Sequence, residues 1–200
     1  MRKLRPPIAL IAFVAVAACG GGPTINAREL AKIMPSATDA PVGSSLQALD
    51  SGPKTLDEFV SATDVRRKLH SLGFRVGYTS IFTSPTFPAD PANAPPGARL
   101  YGAYGAVFRD SGAAARGLEF YRKRVRSKAK DASPVLTEEF GKDAFAYRFA
   151  SLEGTTLPGV VYFWRVGNAL FEAVGVGNPD PSPEAVRVLA HRIDTRARAS

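Results

Sequence analysis

The two runs Val160–Val166 and Ala169–Gly175, joined by Gly167-Asn168, constrain the fold more than any other feature of the chain. Both runs are almost wholly apolar, and Gly-Asn supplies the positive φ that a tight primed turn requires. The segment therefore reads as an antiparallel β-hairpin. Period-two alternation marks three further strands: Phe74–Phe82, with Phe74, Val76, Tyr78 and Phe82 on one face; Leu100–Arg109; and Ala144–Phe149, with Phe145, Tyr147 and Phe149 together. The small residues Gly102, Ala103, Gly105 and Ala106 imply that a helix packs closely over the second of these.

Helical spacing fills the gaps between the strands. Leu30, Ile33 and Met34 mark a short helix, and Thr55-Leu56-Asp57-Glu58 has the form of a capping box. The helix it opens carries Leu56, Phe59, Val60, Leu69 and Leu72, with an interruption near Thr63, and ends at Gly73. Asp110 or Ser111 caps a helix running to about Lys130, striped by Ala114, Leu118, Tyr121 and Val125. Ser182 caps and Pro183 opens the last helix, with Val186, Leu189 and Ile193 facing inward. The order helix, two strands, helix, three strands, helix predicts an α+β fold: an antiparallel sheet of about five strands with helices packed mainly on one face. Residues 83–99 hold five prolines and read as either a functional lip or a mobile connection.

The N-terminus sets the compartment. Arg2, Lys3 and Arg5 precede an uncharged apolar run of 11 residues, Ile8–Ala18. That is the pattern of an export signal, and it falls short of the roughly 20 residues a membrane-spanning helix needs. The run ends in Val16-Ala17-Ala18-Cys19, which resembles the bacterial lipobox. The resemblance implies a diacylglycerol thioether on Cys19 and cleavage after Ala18. It divides the chain into a signal peptide (1–18), a lipidated cysteine with a flexible glycine-rich tether (19–25) and one domain (26–200). Two acyl chains make membrane attachment stable where one is marginal. Cys19 is the only cysteine, so the domain has no internal disulfide and stands on its core. Loss of the signal lowers the formal charge from +8 to +5. Outside the cytoplasm, that charge concerns anionic lipid or wall polymer rather than nucleic acid. The expected location is the extracytoplasmic side of the cell membrane, or of an outer membrane where the envelope has two.

Catalytic and metal signatures are thin. His70 and His191 lie on different helices, and Asp194, three residues after His191, is the one neighbouring candidate ligand. There is no G-x-S-x-G elbow and no phosphate-binding glycine loop, and Glu138 and Glu139 are adjacent and diverge on regular structure. We expect no catalytic, cofactor-binding or metal residues, so Cys19 is the single assigned site. Arg122, Lys123, Arg124, Arg126, Lys128 and Lys130 put six cations within nine residues, either a solubilising helix face or a contact for anionic lipid or wall polymer. Arg75, Arg109, Arg148 and Arg165, one per strand, either ring an anionic ligand on an uncovered sheet face or keep its rim wet.

The stretch Gly141–Arg196, above all Tyr162-Phe163-Trp164-Arg165-Val166-Gly167-Asn168, resembles uncharacterised actinobacterial lipoproteins and, more distantly, PsbP/Mog1-like domains. The resemblance implies stacked sheet and helices and carries no catalytic residue with it. Three functions follow as expectations. The first is a non-catalytic envelope module that binds a partner, marked by a filled core. The second is a carrier of a lipidic or small hydrophobic ligand, marked by a cavity lined by Phe145, Tyr147, Phe163 and Trp164. The third is a hydrolase, marked by converging polar groups with shifted pKa values.

Overall fold

The computed structural model describes residues 22–152, 155–181 and 183–200. Cys19, the lipobox and the signal lie outside them, as does the capping residue Ser182. In chain order the elements are α1 (Ala27–Ile33), β1 (Ser45–Leu46), β2 (Gly52–Lys54), α2 (Leu56–Phe59), α3 (Thr63–Ser71), β3 (Phe74–Thr83), β4 (Arg99–Phe108), α4 (Ser111–Lys128), β5 (Ser133–Val135), β6 (Phe145–Phe149), β7 (Gly159–Val166), β8 (Ala169–Gly177) and α5 (Pro183–Arg198).

All strand pairs are antiparallel, in the order β1-β3-β4-β8-β7-β6-β5, with β2 also on β3. The sheet thus has eight strands rather than about five. The additional three, β1, β2 and β5, are edge strands of two or three residues, too short to show periodicity, and Pro53 and Pro134 sit in two of them, where no ladder donor is needed.

Helices cover both faces of the sheet, not mainly one. Val160, Tyr162, Trp164, Phe171 and Ala173 pack against α1 and α5 through Leu30, Ile33, Val186, Leu189 and Ile193. Val161, Phe163, Leu170 and Val174 pack on the opposite side against α3 and α4 through Val65, Leu69, Ala114 and Leu118. Two covered faces explain why β7 and β8 are continuous apolar runs rather than alternating ones. On β3, Val76, Tyr78 and Phe82 share the α1 side as expected, but a bulge between Phe74 and Val76 turns Phe74 to the other face. There it meets Phe59 and Phe108, with ring centroids 5.5 and 6.3 Å away.

The local signals hold at the helix starts. Thr55 N–H donates to Glu58 Oε2 at 2.8 Å, completing the capping box of α2, and α2 and α3 break apart at Val60–Ala62. Asp110 Oδ1 accepts from the Ala113 N–H at 2.7 Å and caps α4.

The hairpin turn has a second role. Gly167 takes φ +55°, and a side chain there would strike the carbonyl of Pro23, so the turn is a seat for the N-terminal segment. Asn168, buried, accepts from Ile25 N–H at 2.7 Å and donates to the carbonyls of Ile25 at 3.1 Å and Phe108 at 3.0 Å. Ile25 is itself buried, so the packed body begins before Asn26 and includes the last residues read as tether. Asn168→Ala removes all three bonds and strands a buried backbone donor. It should destabilise the fold by about 2–4 kcal/mol. Hydrogen exchange should show the Ile25 amide losing its protection, and protection equal to wild type would rule this account out.

Candidate functional site

A cleft of about 420 Å³ opens on the α4 side of the sheet, lined by Phe59, Val60, Ser61, Ala62, Val65, Tyr104, Tyr121, Arg124 and Glu172. Its floor follows from strand register. Glu172 of β8 pairs with Tyr104 of β4 on one side and Phe163 of β7 on the other, and side-chain parity sends it to the same face as Leu170 and Val174. The walls are aromatic. Tyr121 of α4 stacks on Phe163 at 5.2 Å, and Phe59 meets Tyr104 edge-on at 6.3 Å. Phe59 reaches this position because Gly77 on β3 has no side chain; a Cβ there would lie 2.3 Å from the Phe59 ring. The break between α2 and α3 forms the lip. At the rim, Arg124 pairs with Asp64 of α3.

The electrostatics of the floor are unusual. Glu172 is partly exposed through the cleft mouth, yet protein surrounds its carboxyl, and no hydrogen bond reaches it from the described residues. Burial pushes its pKa up to about 8. Tyr104 and Tyr121 are raised as well, first by burial and then by the nearby Glu172 charge. At neutral pH the floor is therefore an acid that keeps its proton, between two phenols that keep theirs.

The residues singled out by sequence fare differently. Trp164, Phe145, Tyr147 and Phe163 do not line a common cavity. Trp164 is fully buried on the α5 side, stacked on Phe171 at 5.6 Å and tilted against Phe140 at 5.3 Å, while Phe145, Tyr147 and Phe163 lie on the α4 side. Even side-chain numbers point one way along β7 and odd ones the other, so Trp164 and Phe163 cannot face one space. Of the four, Phe163 alone touches the cleft, at its narrow base. Within the basic cluster 122–130, Arg122, Lys123 and Arg124 are engaged. Arg122 bonds Glu119 at 2.8 Å and the Asp143 carbonyl at 2.6 Å, and its guanidinium lies 5.1 Å from the Phe145 ring. Lys123 is 3.7 Å from Glu119. Arg126 and Lys130 are exposed and without an ion pair among the described residues.

The strand arginines do not converge. Arg165 pairs with Asp143 at 3.0 Å, Arg109 with Asp110 at 3.1 Å and Arg148 with Asp180, while Arg75 is exposed. His70 and His191 are exposed on α3 and α5, Asp194 bonds Arg198 at 2.7 Å, and Glu139 sits 3.5 Å from Arg187. No group of three or more His, Cys, Asp or Glu that could hold a metal occurs among the described residues. The loop 83–99 does not border the cleft; the Asn178 side chain donates to the Ala94 carbonyl at 2.9 Å and pins it to the end of β8. A second groove of about 400 Å³ lies between α5 and residues 39–42, but both its acids are committed: Asp39 accepts from Arg196 at 2.7 and 3.0 Å, and Glu184 from Arg187 at 3.0 Å.

Glu172 escaped the sequence reading. Its signal was a lone acid inside an apolar strand, at a position whose neighbours two residues away are Leu170 and Val174.

No helix among the described residues is long and apolar enough to cross a membrane. No protein-family model matches the chain, and neither does any curated protein. Among solved structures, the extracellular domain of PknH from Mycobacterium tuberculosis superimposes with a TM-score of 0.60 at 8% identity, over 90% of this chain and 100% of that one. At that identity the likeness shows a shared fold: an antiparallel α+β sheet with helices on both faces.

Proposed function

We propose that the chain is a non-catalytic extracytoplasmic binding module, tethered to the membrane by a lipid on Cys19, and that it takes its ligand in the Glu172 cleft. The observation that carries this reading is a carboxyl, unpaired among the described residues, held among aromatic rings in an open space of ligand size. The export signal and lipobox support the address, and so does the fold shared with a domain described as extracellular. With Pro23 seated on the turn at Gly167, the tether from Cys19 spans four residues, at most about 14 Å of extended chain. That length keeps the β7–β8 turn beside the bilayer. Contact of the basic cluster 122–130 with anionic lipid or wall polymer would rest on Arg126 and Lys130, which are exposed and hold no ion pair among the described residues.

The shifted groups are of the kind a hydrolase would need, yet all three shift toward keeping their protons, which favours hydrogen-bond donation over general-base work. The lining holds no histidine or cysteine, and Ser61 is exposed at the mouth. A carrier of small hydrophobic molecules is favoured by the apolar lip of Phe59, Val60, Ala62 and Val65.

A thermal-shift screen of a diverse fragment set against the full chain in detergent tests the proposal, because a ligand that binds only the folded state raises its melting midpoint. The expected result is a set of stabilising fragments whose effect disappears in Ala62→Trp, which fills the cleft from its lip. If every hit stabilises Ala62→Trp equally, or none is found, the cleft is not the binding site.

A further inference from the structure

We infer that the ligand of this cleft is a small organic cation, an ammonium carried on an apolar or aromatic body. The inference rests on the binding reading above and names its ligand class. Three features point to it. The first is the aromatic enclosure: Phe59 from α2, Tyr104 from β4 and Tyr121 from α4 surround one space, with Phe163 beneath. Aromatic faces attract cations through their quadrupoles, more strongly when water is excluded.

The second feature is Glu172 at the floor. It is the single acid of the lining, and no described residue donates a hydrogen bond to it. A carboxyl that the surrounding protein desolvates, and to which no described residue donates, carries a penalty that an incoming ammonium relieves. The buried acids Asp39 and Asp194, by contrast, each pair with an arginine.

The third is the disposition of the remaining charges. Arg124 on α4 is the one cation of the lining, and it is drawn to Asp64 on α3, which neutralises it at the rim. Asp50, before β2, adds negative potential felt at Tyr104. An anionic ligand would meet Glu172 with no free cation beside it, so the field favours positive charge.

Binding an ammonium requires Glu172 to lose its proton to solvent, and so affinity must rise with pH. Below about pH 8 it should rise close to tenfold per pH unit and level off above that. Isothermal titration of the full chain in detergent, with phenethylamine and its uncharged analogue phenethyl alcohol as probes, reads this directly. At about pH 8.5, phenethylamine should bind at least tenfold more tightly than phenethyl alcohol, and at least tenfold more tightly than it does itself at about pH 6. Glu172→Gln, which keeps shape and removes the charge, should weaken phenethylamine at least tenfold, while phenethyl alcohol binds the variant no more weakly than wild type. Near-UV circular dichroism confirms that this variant is folded. Equal affinities for the two probes, an unchanged Glu172→Gln titration or no binding by either probe each overturn the ammonium assignment. Fragments that bind wild type but not Ala62→Trp would still stand in that case, so failure of the cation and failure of the cleft are separate results.

Discussion

Glu172→Gln should make the protein more stable, and increasingly so as the pH rises. The folded chain holds the Glu172 proton to about pH 8, whereas the unfolded chain releases it near 4.5. An acid whose folded pKa is raised works against folding as it ionises: stability declines across the window from about 4.5 to 8 and stays low above it. The full shift would correspond to nearly 5 kcal/mol, and the water admitted by the open cleft reduces this to about 2–3 kcal/mol at pH 9. Glutamine reproduces the protonated carboxyl, so the variant should match wild type near pH 5 and exceed its melting midpoint by roughly 5–10 °C at pH 9. Thermal unfolding of both chains followed by circular dichroism at the two pH values checks the prediction. Parallel curves with a constant offset would mean that Glu172 is ionised throughout and has found a partner. A stabilising loss of a charged residue is the mark of a site kept for something other than folding.

That trade-off also bears on what the sequence discloses. The hairpin turn at Gly167-Asn168, the capping box at Thr55 and the aspartate cap at Asp110 are local devices, each written within four residues, and all are found where the sequence places them. The covered second face was legible too, since an apolar residue at nearly every position of Gly159–Val166 leaves no side for water. The expectation of one bare face undervalued that run. The position of Phe74 was not legible, because a bulge inserts one residue and inverts parity without altering composition. Nor was the cleft. Its wall depends on Phe59 lying over Gly77, and its floor on β4 and β8 being neighbours, although about 60 residues separate them along the chain. Such pairings are fixed by the whole sheet. Glu172 itself stood in plain view as a charge in an apolar strand, and only the identity of the helix above it was missing.

The face opposite the cleft should respond in the reverse sense. Trp164 is fully buried, with Phe171 stacked on one side and Phe140 tilted against it, and Leu189 and Ile193 belong to the same core. Trp164→Ala empties a volume that rigid strands on one side and α5 on the other cannot close. It should cost about 3–5 kcal/mol. For a chain of this length that lowers the melting midpoint by roughly 10–15 °C, while Trp164→Phe should lose less than half as much. A loss below about 1 kcal/mol would show that the site collapses or was never filled. Below its lowered midpoint the alanine variant should bind cleft fragments as wild type does, because the sheet lies between Trp164 and Glu172 and the two share no lining residue. Should binding vanish while the fold persists, the ligand lies on the tryptophan side and the chain is a carrier with its cargo beneath α5. Retained binding with reduced stability divides the molecule as its geometry does, with the α5 face holding the fold together and the α4 face giving up stability for a site.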